Sequence, residues 1–284
     1  MNLEDLSIDL GLFQDKPWFV PYLSADDLVN RLWIPVKENP KQHLLVCDLD
    51  GTIAPSPAKK ALWYYAYISG WKNWSFILWT LQSSYNYLVS GKSAESEIWA
   101  SFLRDFLEND DKVQRFLKRK FTEEFVKKSL YNGFEEFLGY FAECHKVIVS
   151  RINGMIGEPY RQALGFDKLR TQQNDKAKAI DDILAEYKRE GHEIKTATVI
   201  GDSEEDKEMS NHLENRLGPK NVIGINIVKS YKHRNHKIHI NQCTDYAAAD
   251  YLMRILEDTQ KVLKGELPKL SYKPLVTGKP YVIG

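Results

Sequence analysis

Two carboxylates follow an apolar run in the first third of the chain. The segment LLVCDLDGT places Asp48 and Asp50 two residues apart, directly before a glycine. A second acidic segment, GDSEED, places Asp202 and Asp206 after another apolar run. Four carboxylates packed together would repel and raise one another's pKa, whereas a hard divalent cation such as Mg²⁺ would offset their charge. We therefore predict a Mg²⁺ site shared by these four residues.

Candidate phosphate-binding groups accompany the carboxylates. Ser150 ends the β-branched run KVIVS, where its hydroxyl can donate a hydrogen bond. Lys176 opens a predicted helix, a position that the helix dipole disfavours for a cation, so another group is expected to hold it there. Lys178 is the alternative lysine, and Arg151 is either a substrate contact or a surface residue. Because phosphoryl transfer needs cations and donors on the phosphoryl oxygens, this set predicts a phosphoryl-transfer site.

Strands separated by helices would bring these polar residues together. Apolar or β-branched runs predict four strands, at 44–48, 146–150, 197–202 and 222–228. The segment 176–191 is typical of a helix, and the alternation of strands with helices predicts an α/β fold with a parallel sheet. Side chains beyond the carboxyl ends of neighbouring parallel strands meet in one crevice. We therefore expect Asp48, Ser150 and Asp202 to converge.

The composition indicates a folded protein without a strong charge bias. Of the 284 residues, 43% are hydrophobic and 27% are charged, and the formal net charge is zero. The hydrophobic content is sufficient for a core. The zero net charge argues against a general nucleic-acid binder. Three widely spaced cysteines are typical of thiols in a reducing compartment, and the start MNLEDLSIDLG has no apolar signal segment. A cytoplasmic location is therefore expected.

The region between the first two predicted strands is helical and aromatic. Lys72 and several polar residues interrupt the aromatic stretch 62–89, which disfavours a membrane span. Packing as a helical layer is favoured over contact with a membrane surface. The segment 112–128 then predicts one basic amphipathic helix, either a solvated face or a docking surface for an anionic partner.

The motif order resembles that of the haloacid dehalogenase superfamily of phosphohydrolases. DLDGT, the strand-end Ser150, the helix-opening Lys176 and GDSEED follow one another as they do in that family. The resemblance is nearest to the phosphoserine-phosphatase-like branch. It implies a Rossmann-like parallel sheet flanked by helices, with an α-helical cap inserted between the first and second motifs. The implied divisions are an N-terminal extension at 1–39, a core at 40–58 and 131–263, a cap at 59–130 and an extended C-terminal tail at 264–284.

The same resemblance implies a role for each candidate residue. Asp48 would be the nucleophile that forms an aspartyl-phosphate, and Asp50 would be the general acid and base. The phosphate would be bound by Thr52, Ser150, Arg151 and Lys176. Mg²⁺ would be held by Asp48, Asp202, Asp206 and the backbone carbonyl of Asp50.

The predicted function is Mg²⁺-dependent hydrolysis of a phosphomonoester in a small phosphorylated metabolite. One alternative is a phosphotransferase or phosphomutase that uses the same aspartyl-phosphate. The other is a non-catalytic scaffold whose aromatic cap binds a membrane or a protein partner. The sequence predicts neither the identity of the substrate nor the oligomeric state.

Overall fold

The fold is described from a computed structural model. The described residues are 19–21, 29–55, 57–68, 74–90, 111–171, 175–228 and 238–241, together with residues 72, 98, 102, 106, 173, 246, 253, 256–257, 261 and 266. The predicted extended tail at 264–284 lies outside them apart from Glu266.

A seven-stranded sheet forms the centre of the described part of the chain. Its strands are β1 (Phe19–Pro21), β2 (His43–Cys47), β3 (His145–Val149), β4 (Lys168–Arg170), β5 (Thr196–Gly201), β6 (Val222–Val228) and β7 (Ile238–Asn241). Their spatial order is β1-β7-β6-β5-β2-β3-β4. Every neighbouring pair is parallel except the edge pair of β1 and β7. The predicted parallel α/β sheet is therefore confirmed.

Helices flank this sheet and fill the connection between β2 and β3. The described α-helices are α1 (Ile34–Glu38), α2 (Pro57–Ile68), α3 (Trp74–Ser90), α4 (Asp111–Lys120), α5 (Glu123–Ser129), α6 (Phe134–Gly139), α7 (Gly154–Ala163), α8 (Lys176–Arg189) and α9 (Glu204–Leu217). Helices α2 to α5 occupy the place predicted for the cap, and we call them the helical insert. The division of the chain into separate domains stays a prediction.

The alternation of side chains along β2 joins the strand to two hydrophobic cores. Leu44 and Val46 belong to the core that contains residues of α8 and α9. Leu45 and Cys47 belong to the opposite core, which contains Phe134 and other residues outside those two helices. All five residues of β2 are buried, as expected for a parallel strand covered on both faces. The strand therefore gives the residue after it, Asp48, a rigid base.

The aromatic residues of the helical insert divide into an inner and an outer set. Tyr65 and Phe76 lie with ring centroids 4.8 Å apart, and Phe76 stacks on Trp79 at 5.6 Å. The prediction that the aromatic residues pack together is therefore confirmed for the inner set. It is wrong for Trp63 and Trp74, whose side chains are exposed. Trp71, another tryptophan of the aromatic stretch 62–89, lies outside the described residues. No helix among the residues described here is long and apolar enough to cross a bilayer.

The basic segment predicted as one helix over 112–128 forms two helices. Helix α4 ends at Lys120, and α5 begins at Glu123. Between them, the Thr122 side chain accepts a hydrogen bond from the Phe125 amide at 3.3 Å. A threonine in this position satisfies an amide that a new helix leaves unpaired, so it favours a restart over a continuous helix.

A buried histidine on β2 predicts how stability depends on pH. His43 is fully buried between the Thr196 and Thr198 hydroxyls, at 2.9 and 3.0 Å from its ring nitrogens, and burial lowers its pKa from 6.5 to about 3. Below pH 6.5 the unfolded chain binds a proton that the folded chain does not. Stability contributed by this site is therefore full above pH 6.5 and falls by about 2 kcal/mol between pH 7 and pH 5.

Urea unfolding at both pH values would measure this effect. A His43→Leu variant, which cannot titrate at this position, should lose about 2 kcal/mol less than the natural chain over the same interval. Equal pH dependence in the two proteins would show that His43 does not set it.

Candidate active site

Three candidate residues lie at one edge of the sheet. Asp48, Ser150 and Asp202 each directly follow the last residue of a strand, namely β2, β3 and β5. Strand β2 lies between the other two, and the chain returns from β4 to the opposite side of β2 through α8 and β5. At such a place the connections from neighbouring parallel strands run in opposite directions, and a crevice opens at the carboxyl ends of the strands. The structure therefore brings the two acidic segments to one edge.

The carboxylates of Asp48, Asp202 and Asp206 form a cluster at this edge. Each offers an oxygen atom within 4.8 Å of the others. Asp48 and Asp206 are buried, and Asp202 is partly exposed. Asp50 is not in this cluster. It is partly exposed and forms an isolated β-bridge with Ala54 in the turn after β2.

Lys176 lies inside the acidic cluster. Its Nζ donates hydrogen bonds to Asp48 Oδ1 at 3.0 Å and to Asp206 Oδ1 at 2.5 Å. Lys178, the alternative lysine, is exposed, and its backbone amide donates to the Asp175 cap of α8 at 2.9 Å. Of the two predicted lysines, the structure brings Lys176 to the carboxylates. An ammonium group has three N–H donors, and these bonds use two of them.

One cation does not offset three neighbouring carboxylates. Burial raises the pKa of Asp48 to about 7; Lys176 opposes that shift, whereas Asp206 and Asp202 add to it. Burial favours a lower pKa for Lys176, but Asp206 and Asp48 outweigh it and raise the pKa above its ordinary value. For Asp206, burial is outweighed by Lys176 and by hydrogen bonds from Ser203, so its pKa lies below the ordinary value. A hard divalent cation suits this excess of negative charge and these oxygen donors.

Asp206 also orders the loop that carries Asp202. Its Oδ2 accepts hydrogen bonds from the Asp202 amide at 3.1 Å, from the Ser203 amide at 3.0 Å and from the Ser203 hydroxyl at 2.6 Å. A Cβ atom on Gly201 would lie 2.2 Å from the Cβ of Asp206, so only glycine leaves room for this carboxylate. Both oxygens of Asp206 thus have protein donors, and Asp206 supports the site from behind Asp202.

Thr52 presents a hydroxyl without a partner in the turn after β2. Its side chain is fully buried, and no hydrogen-bond partner for Oγ1 occurs among the described residues. Its backbone carbonyl, in contrast, accepts a hydrogen bond from the Tyr246 hydroxyl at 2.6 Å. Buried polar groups nearly always have partners, so an unpaired hydroxyl two residues after Asp50 indicates a place where a ligand can accept a hydrogen bond from it.

Ser150 and Arg151 take different positions. Ser150 is buried, and its Oγ accepts a hydrogen bond from the Ile152 amide at 3.4 Å, which leaves its own proton to donate. Arg151 is exposed and forms an ion pair with Glu205 in the first turn of α9. Arg151 therefore pairs with an acidic residue outside the carboxylate cluster.

Sequence reasoning did not assign roles to several residues that shape this site. Gly201 and Glu205 lie within the GDSEED segment. Their position in this motif could have indicated that they lie close to the site. Tyr246 carried no signal, because a single tyrosine far along the chain does not indicate a bond to the Thr52 carbonyl. Its ring packs against Phe134 with centroids 5.0 Å apart, which fixes it behind the first motif.

Gly51 allows the two acidic segments to approach each other. Its φ angle is +85°, in the left-handed region, and a Cβ atom there would lie 2.3 Å from Asp202 Oδ2. We expect Gly51→Ala to displace the Asp202 carboxylate and to lower the phosphoester hydrolysis that the sequence predicts by at least about 100-fold, the cost of an ångström-scale misplacement in a catalytic site. Steady-state phosphate release measures this loss.

Gly191→Ala is a matched control for that substitution. Gly191 also has a φ angle of +85°, but a Cβ atom there would meet nothing within 4 Å. The control carries the same backbone strain without the clash, so it should lose stability and keep turnover. Equal losses of turnover in the two variants would contradict a specific contact between Gly51 and Asp202.

Comparisons with known proteins give structural matches only. No protein-family model and no curated protein matches the chain. Three of the similar solved structures are hydrolases of the haloacid dehalogenase type. The one from Burkholderia xenovorans has a TM-score of 0.46 and 10% identity, covering 78% of this chain and 98% of its own. The one from Geobacter sulfurreducens, of subfamily IA, has a TM-score of 0.41 and 14% identity, covering 75% and 98%.

The third similar structure is a hydrolase from Bacillus subtilis bound to magnesium. Its TM-score is 0.39 at 11% identity, and the match covers 76% of this chain and 99% of that one. At these identities and TM-scores, none of the matches identifies a substrate or a reaction for this chain.

Proposed function

We propose that this chain is a Mg²⁺-dependent hydrolase of phosphomonoesters that acts through an aspartyl-phosphate on Asp48. The observation that carries the proposal is the cluster of Asp48, Asp202 and Asp206, in which Lys176 bonds the two buried carboxylates, together with an unpartnered Thr52 hydroxyl in the turn after Asp50. The cluster joins a nucleophile, ligands for a hard cation and phosphate donors at one edge of the sheet. A structural ion pair alone would not need the third carboxylate or the unpaired hydroxyl.

Mg²⁺ would be held by Asp48 and Asp202, with Asp206 directly behind them and the backbone carbonyl of Asp50 as a further oxygen. These are the oxygen ligands that Mg²⁺ prefers. When bound, it would draw electron density from the phosphoryl oxygens and offset the excess negative charge. The protein side chains carry out the remaining steps.

In the first step, a carboxylate oxygen of Asp48 attacks phosphorus, and the bond from phosphorus to the leaving oxygen breaks. Asp50 donates a proton to that oxygen, and the alcohol departs. Lys176, Ser150 and Thr52 donate hydrogen bonds to the phosphoryl oxygens, where negative charge develops. The electrons of the broken bond thus leave with the protonated alcohol, and phosphorus stays on Asp48.

In the second step, water replaces Asp48 on phosphorus. Asp50 accepts a proton from that water, which forms a bond to phosphorus while the bond to Asp48 breaks. Inorganic phosphate leaves, and Asp48 returns to its starting state. Arg151 is a proposed contact to the substrate phosphate or to a nearby anionic group, for which it would have to leave Glu205.

Phosphate release from a generic aryl phosphate, with Mg²⁺ and with a chelator, tests this function. Turnover that requires the metal is expected. An added alcohol acceptor separates hydrolysis from transfer, because a phosphotransferase would phosphorylate the alcohol faster than it releases phosphate. No turnover over a broad panel of phosphoesters would favour the scaffold. The small-metabolite substrate, the cytoplasmic location and the lack of a nucleic-acid partner stay predictions.

A further inference from the structure

A row of exposed apolar side chains runs along the outer face of α3, and we call it the α3 stripe. Its members have between 61% and 84% of their surface exposed, and they are Trp74, Leu78, Leu81, Tyr85 and Leu88. Monomeric soluble proteins rarely expose a contiguous apolar patch of this extent, and such patches mark interaction sites.

The spacing of the α3 stripe is that of a helix-pairing seam. Its members follow one another at intervals of four, three, four and three residues, which is the pattern of the two apolar positions of a heptad. The buried Phe76 lies two residues after Trp74, about 200° around the helix, and packs into the core of the insert. Helix α3 therefore has one apolar face for its own fold and a second, narrow one for a partner helix.

The charge of α3 favours a second copy over a lipid surface. Residues 73–90 contain no Asp, Glu, Lys or Arg. Helices that lie on membranes usually carry Lys and Arg on their polar face, and α3 has none. Pairing α3 with an identical helix brings no like charges together, and both seams have the same spacing. An acidic or basic partner would find no complementary charge on this helix.

The area of the α3 stripe suits a protein–protein interface. With about 150–250 Å² for each of the two aromatic side chains, about 60–120 Å² for each leucine and the exposed fractions above, its five members offer on the order of 500 Å² per copy. Tyr87 and Val89, which are also exposed, adjoin its carboxyl end. A standard specific interface buries about 800 Å² per partner, so the stripe supplies most of the area that a stable dimer needs.

We propose that the chain forms a homodimer in which the α3 stripes of two copies pack against each other. A two-fold symmetric interface uses the same patch on both subunits. Leu81 lies seven residues from each end of the stripe, so a symmetric pair places it against the same residue of the second copy. This interface is independent of the proposed reaction.

Sedimentation velocity of the full chain between about 1 and about 100 µM tests the interface. The natural chain should be a dimer, and Leu81→Lys, which buries two like charges at the centre, should raise the dimer Kd by at least about 100-fold. Asn86→Lys adds the same charge at an exposed position off the stripe and should leave the dimer intact. Circular dichroism and phosphate release should be unchanged in both variants.

A charge-reversed pair makes the test specific. A mixture of the Leu81→Lys and Leu81→Glu proteins should recover a dimer, because opposite charges then meet at the centre. If Leu81→Lys fails to fold, Tyr85→Lys provides the same comparison. A natural chain that is monomeric at the highest concentration overturns the proposal, whether or not it binds vesicles containing phosphatidylserine. A dimer that Leu81→Lys does not weaken overturns it as well.

Discussion

Asp48→Asn should lower phosphate release by at least about 10⁴-fold, because an amide oxygen does not attack phosphorus as a carboxylate does. Losses of this order or larger follow the removal of an enzymatic nucleophile. Asparagine has nearly the same shape as aspartate, and its oxygen can still accept the hydrogen bond from Lys176. The substitution therefore removes the proposed nucleophile and preserves its surroundings.

The stability of the same variant separates loss of chemistry from loss of fold. Burial raises the pKa of Asp48 to about 7, so ionisation of this carboxylate lowers the stability of the folded protein. In the Asp48→Asn variant, Lys176 still has the Asp206 carboxylate as a charged partner. We expect the free energy of unfolding to change by less than about 1 kcal/mol in urea titrations. Asp182→Asn, an exposed change on α8, is the control for both measurements.

The location of the candidate site could be read from the sequence because strand ends have a local signal. The run before Asp48 was predicted as 44–48 and forms β2 at His43–Cys47, and the run 222–228 forms β6 with the same bounds. In a parallel sheet, buried strands are continuous apolar runs, so the residue that ends each run is conspicuous. Local sequence thus predicted which edge of the sheet would carry the polar residues.

The fit between the two acidic segments could not be read from the sequence. The approach of Gly51 to Asp202 and the ion pair of Arg151 with Glu205 join residues far apart in the chain. Such contacts depend on the exact paths of two loops, which no periodicity encodes. Strand β1 was missed for another reason: it has three residues and ends in Pro21, which is compatible with an edge strand but is not a strand signal.

Lys176→Met should abolish turnover and destabilise the fold by about 3–5 kcal/mol, the cost of leaving buried charge without its partner. Lys176 is the cation that bonds both buried carboxylates, Asp48 and Asp206. Methionine fills a similar volume without charge or N–H donors, so the two carboxylates would face each other across an apolar side chain. Urea titration and phosphate release measure the two effects.

Lys178→Met is the matched control, since it makes the same change two residues later on the same helix. Lys178 is exposed, so its removal should alter the free energy of unfolding by less than about 0.5 kcal/mol and leave turnover unchanged. If Lys178→Met lost turnover and Lys176→Met kept it, the assignment of the phosphate-binding lysine would be reversed.

Added Mg²⁺ separates the two roles assigned to Lys176. A cation bound to the folded state alone stabilises it, and a cluster that has lost its lysine should gain more from the metal than the natural cluster does. The unfolding midpoint of Lys176→Met should therefore rise with Mg²⁺ more than that of Lys178→Met. Turnover should stay low, because the metal replaces the positive charge but not the N–H donor to the phosphoryl oxygen. Recovery of both stability and turnover would mean that Lys176 acts only by offsetting charge.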